Sequence, residues 1–184
     1  MRMPPPWRKF VLAVHLAVSI GWIGGVLVYL ALGLLAVRSH DDQTVRAAWI
    51  AMEASGWYVL VPLAVATVVT GLLMSLGTKW GLFRHYWVLI SFLLTCFAAT
   101  ILILHMPTVS SAADVARRAD GSRLHDLGGD LFHPTIGLMV LLAALVLNVY
   151  KPSGMTRYGW RRQQAIRAIP SGLPTGTEDR QRMP

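Results

Sequence analysis

Residues 10–37 read FVLAVHLAVSIGWIGGVLVYLALGLLAV, 28 positions without an Asp, Glu, Lys or Arg. As an α-helix rising 1.5 Å per residue, this run reaches about 42 Å. The hydrocarbon core of a bilayer is only ~30 Å thick, so the helix must tilt or protrude. Three further apolar runs follow, at about 57–76, 86–106 and 131–150, each near the ~20 residues a spanning helix needs. Hydrocarbon offers no water to backbone N–H and C=O groups, which makes such runs helical. The expected fold is all-α: an integral membrane four-helix bundle over residues 1–159. A basic cytoplasmic tail, 160–184, is expected to be disordered beside the anionic membrane surface. The first run is too long for a signal peptide, and no small-residue cleavage site follows it before Arg38.

Composition agrees. Of 184 residues, 54% are apolar and 14% charged, against about one-quarter charged in soluble domains. That excludes a water-soluble globule and a disordered chain. The single cysteine, Cys96, excludes an intramolecular disulfide and a cysteine-built metal site. The net charge of +8 comes without a groove-reading helix or a stacking platform, so no nucleic-acid partner is expected. It reads instead as an orientation signal. Twelve Lys and Arg lie before the first span, between the second and third, and after the fourth; five lie in the other two loops, with seven of the nine acids. Both termini are therefore expected in the cytoplasm, and the chain in a bacterial cytoplasmic (inner) membrane. Loop 38–56 carries a helical pattern (Val45, Trp49, Met52) running towards the second span, and loop 107–130 is expected to open with a short helix, 110–119, stopped by Gly121. Pro62 is expected to kink the second span.

Ionisable groups inside a span are costly and point to function. At 100° per residue, His15, Trp22, Tyr29 and Gly33 share one face of the first helix, flanked by Ser19 and Val26. Gly21 and Gly25 beside them offer a surface for close helix approach. On the third helix Ser91, Thr95, Ala98, Leu102 and His105 form one stripe; on the fourth, His133, Gly137, Val140, Ala144 and Asn148 do. Pro134 suits a first helical turn but biases His133 away from helical geometry. Two sites follow. The outer one pairs His105 with His133, with His125, Asp126 and Asp130 in support. The inner one holds His15, joined by His85 only if that residue is reoriented. Each histidine also has a plainer role: a helix–helix hydrogen bond for His15, an interfacial position for His85, His105 and His133. Thr67, Gly71 and Ser75 on the second helix read as packing.

Imidazoles projecting into a four-helix bundle are usual axial ligands of haem iron. One or two b-type haems are therefore expected, with metal ligands drawn from His15, His105 and His133 and with Trp22, Tyr29 and His85 as further cofactor contacts. Arg8, Lys9 and Arg84 are the cations for propionates of an inner haem, and Arg117, Arg118 or Arg123 for those of an outer one. Copper is the alternative metal, although no methionines cluster with histidine on one face.

The motif His15-x6-Trp22-x-Gly24-Gly25, preceded by Trp7-Arg-Lys-Phe10, resembles the opening helix of two groups of bacterial membrane proteins. These are the copper-resistance D (CopD-like) family and the four-helix HemJ-type protoporphyrinogen oxidases. The second resemblance implies haem at His15; the first implies copper handling. The oxidases' Leu-Pro-Arg element after the first-helix glycines is replaced here by Val26-Leu-Val-Tyr-Leu-Ala-Leu32, and Ser91 stands where an early third-helix lysine is expected. Residues 82–90 (LFRHYWVLI), 104–106 (LHM) and 149–159 (VYKPSGMTRYG) look like an uncharacterised family of predicted four-helix bacterial integral membrane proteins, over roughly 7–160. The expected function is electron transfer or membrane redox chemistry, a haem-dependent oxidoreductase among the options. The expected partners are the lipid bilayer and a membrane or soluble redox protein, and a homodimer is compatible with the sequence. The rival to both metals is a cofactor-free membrane scaffold.

Overall fold

In the computed structural model, residues 4–77, 85–118, 124, 126–152, 156, 160 and 164 are described. Helix α1 (Pro5–Arg38) opens on prolines, whose missing N–H costs nothing in a first turn. Helix α2 (Asp42–Ser55) is capped by Asp41, whose carboxylate accepts from the Thr44 backbone N–H at 2.9 Å. A π turn over Gly56–Leu60 leads into α3 (Val61–Gly77), so residues 42–77 form one helical run. The pattern in loop 38–56 does continue into the second span. The irregular turn sits immediately before Pro62. There the Val61 N–H reaches back to the Gly56 carbonyl, five residues earlier, a widened turn that eases the crowding a proline imposes on the turn preceding it.

Helix α4 (Tyr86–Arg118) corrects the expected break after 106: it passes through Pro107 without ending. Tertiary contacts to the preceding helical run outweigh the lost backbone bond. Trp57 Nε1 donates to Ser110 Oγ at 3.0 Å, Arg46 donates to the Arg117 carbonyl at 2.9 Å, and Arg117 pairs with Glu53. Gly121, the expected stop, lies outside the described residues. Helix α5 (Phe132–Tyr150) ends on Lys151 in the left-handed conformation, φ 43°. Pro134 falls in its first turn, so His133 is helical after all.

Lengths set the architecture. Helix α5 has 19 residues, whereas α1, the 42–77 run and α4 have 34, 36 and 33. At 1.5 Å per residue, α5 is about as long as a bilayer core is thick and the other three are about 50 Å. Asp130, just ahead of α5, abuts Gly33 of α1 and His105 of α4. The end of α1, all of α2 and residues 107–118 of α4 therefore overhang α5 at one end. We call this the distal end, and the end holding Pro5 and Tyr150 the proximal end. The buried core runs on into the overhang, where it includes Val45, Ala48, Trp49, Met52, Val109, Ala116 and Ala36. Below it, α1 packs on α3 and α5, and α4 on α3 and α5. Ile20, Leu104, Met139 and Val149 point outward, each about two-thirds exposed. The four helical runs are long and apolar enough to cross a membrane, the pattern of a multi-pass membrane protein.

Candidate functional site

Trp22, Val26, Tyr29 and Gly33 are the buried face of α1, in the register their spacing predicts. Gly21 and Gly25 meet Leu63 and Leu60, the close approach expected of small residues. The polar stripes of α4 and α5 turn inward as well. Together these faces enclose two cavities stacked along the bundle, with Trp22 and Leu141 lining both and partitioning them.

The proximal cavity, about 660 Å³, is lined by residues of all four helical runs, with Arg8 and Lys151 at its proximal mouth. His15 projects into it. Its Nδ1 lies 2.9 Å from Thr70 Oγ1. The Thr70 hydroxyl donates to the Ala66 carbonyl at 2.7 Å, so its oxygen is left to accept the Nδ1 proton. That arrangement puts the lone pair on His15 Nε2. The Nδ1–Cε1 edge of the ring meets Gly71, where an added Cβ would stand 3.3 Å from His15 Cε1. The interhelical hydrogen bond was the plain reading of His15; here it also orients the ring. Three buried hydroxyls of this lining, Ser19, Thr67 and Ser91, have no protein partner. A buried hydroxyl without a bond costs about 1–3 kcal/mol, which marks the cavity as built around water or a guest rather than as a packing defect. Thr67, Gly71 and Ser75, expected to pack between helices, all line it.

At the distal end, His105 from α4, His133 from α5 and Asp130 converge. His105 Nε2 is 2.7 Å from Asp130 Oδ2, and His133 Nδ1 is 3.4 Å from Oδ1. The two imidazoles stack, centroids 3.8 Å apart and 23° from parallel. The Tyr29 hydroxyl donates to Asp130 Oδ2 at 3.1 Å. Asp130 thus joins both histidines and the α1 tyrosine, a larger part than the supporting one expected of it. A backbone contact fixes its place: a Cβ at Gly33 would stand 2.9 Å from the Asp130 carbonyl oxygen. The cluster lines the distal cavity, about 240 Å³ and otherwise almost wholly apolar.

The remaining candidates are not gathered. His85 sits near Trp87, ring centroids 6.4 Å apart, and lines neither cavity. Asp126 is exposed, and His125, Arg84 and Arg123 lie outside the described residues. Arg117 is engaged by Glu53 and Asp114, which raise its pKa, rather than facing a cofactor. The Met106 thioether packs against Gly56.

The two sites fit a porphyrin differently. Axial imidazoles flank the iron from opposite faces with their nitrogens aimed at it. His105 and His133 lie face to face against one carboxylate, so this pair does not present a bis-histidine haem site. The proximal cavity fits better, with one oriented imidazole, a small Ala144 in its wall, and two cations at its mouth. The fold is an all-helical bundle whose four helical runs are long and apolar enough to cross a membrane. No family model matches the chain, and no curated protein and no solved structure shows significant similarity to it.

Proposed function

We propose that this chain is an integral membrane protein that binds one b-type haem in the proximal cavity, with His15 Nε2 as the axial ligand. The observation that carries the reading is the Thr70 hydrogen bond on Nδ1, which holds the ring and leaves the lone pair on Nε2 of a side chain that lines a cavity of about 660 Å³. A hydrogen bond on the second nitrogen is the usual way a ligating imidazole is fixed. Arg8 and Lys151 would pair with the propionates at the proximal membrane surface. Haem bound there would supply one-electron chemistry at iron. Trp22 and Leu141 lie between this cavity and the distal one. Both termini are cytoplasmic in this reading, and the membrane is the bacterial inner membrane. The polar overhang, which carries Asp41, Asp42, Glu53 and Asp114, then faces outward. Electron exchange with a membrane or soluble redox protein is the role that follows.

The test is the absorption spectrum and haem content of detergent-purified protein from iron-replete cells. Wild type is expected to carry a Soret band at about one haem per chain, and His15→Ala to lose most of it while eluting as folded protein. A colourless, folded wild type, or full pigment in His15→Ala, overturns the proposal.

A further inference from the structure

The distal cluster carries a second, independent reading. We propose that His105, Asp130 and His133 form a binding site for a divalent transition-metal ion of zinc type, separate from any haem. Three ligand atoms from two helices and the segment between them, two imidazole nitrogens and one carboxylate oxygen, lie within 4.8 Å of one another. A tetrahedral ion with bonds of ~2.0–2.1 Å sets its ligands about 3.3 Å apart. The carboxylate lies 2.7 Å from the His105 nitrogen through one oxygen and 3.4 Å from the His133 nitrogen through the other, so the site is completed when the stacked rings turn until both nitrogens aim at one ion.

The donor set selects the ion. Two imidazoles and a carboxylate suit zinc and its first-row neighbours, while calcium and magnesium require oxygen donors throughout. The carboxylate offsets half of the ion's charge, needed because the Asp130 side chain is only 9% exposed. The Tyr29 hydroxyl, 3.1 Å from Asp130 Oδ2, orients the carboxylate from outside the ligand set. Tyr29 is thus a positioning residue. Three protein ligands leave one coordination position open, next to the apolar distal cavity. His133, 47% exposed, is the entry side.

Isothermal titration of the metal-free, full-length protein in detergent with Zn²⁺, paired with Co²⁺ difference spectra, tests the site. Wild type is expected to bind one ion per chain, and Co²⁺ to give visible bands of tetrahedral type. His133→Gln, at the half-exposed position that disturbs packing least, and Asp130→Asn are each expected to weaken binding by at least tenfold and abolish those bands. Tyr29→Phe is expected to weaken it about tenfold and keep the bands. Wild-type protein that binds no stoichiometric ion overturns the proposal. So does binding that survives both His133→Gln and Asp130→Asn unchanged. Neither measurement depends on pigment, so the haem reading stands or falls separately.

Discussion

Gly33 shows how one residue governs a site it does not belong to. Its missing Cβ lets the backbone of Gly129 and Asp130 lie against α1. A valine there has to push the Asp130 carbonyl away, so Gly33→Val is expected to destabilise the bundle by about 1–3 kcal/mol. It should also weaken Zn²⁺ binding; melting in detergent and titration read the two effects. Asp41 makes a second residue-scale case. The Thr44 hydroxyl and backbone N–H bond to its carboxylate and hold its pKa below the ordinary 3.8. Because the folded pKa is the lower one, the capped form is favoured above pH 3.8 and the contribution is lost as pH falls through the folded value. Acid titration of helicity in Asp41→Ala should lack that loss, and Asp41→Asn, still a good cap, should keep near-wild-type stability at neutral pH. At this scale much of the chemistry was legible. His15 and His105 occupy stripes whose spacing alone turns them inward, while His133 is half exposed at the edge of its stripe. Asp130 was underrated because it precedes α5 in a segment without helical periodicity. Thr70 was missed because its partner lies 55 residues away, a pairing that one-helix periodicity does not reveal.

At the scale of elements, periodicity located every span, and tertiary packing decided the breaks. Pro107 reads as the end of the third span, yet α4 continues to Arg118 because the α2 side of the bundle supplies Trp57, Arg46 and Glu53 to hold it. The stripe Thr67, Gly71 and Ser75 reads as packing because small residues serve both close approach and cavity walls; only the helices opposite decide which. In the distal overhang Met52 is fully buried. Met52→Ala is expected to cost about 2–5 kcal/mol. In hydrogen exchange, amides of residues 42–55 should lose protection while those around His15 and Thr70 keep theirs. Equal loss across both regions would mean the overhang and the bundle open as one unit.

For the whole molecule, three long rods and one bilayer-length rod define an asymmetric body with a polar overhang at one end, and that asymmetry bears on orientation. In cells carrying Cys96→Ser, a cysteine at His40, exposed in the link between α1 and α2, is expected to react with an impermeant thiol reagent from outside. Reaction only after permeabilisation would invert the topology. The two cavities, with Trp22 and Leu141 between them, hold one imidazole in the proximal half and two in the distal half, so the chain has room for two unlike centres. The central claim is that iron sits in the proximal one. Iron anomalous scattering from crystals of the pigmented protein tests it most directly. One strong peak bonded to His15 Nε2 is the predicted result. Iron between His105 and His133, or no iron peak beside His15, contradicts it.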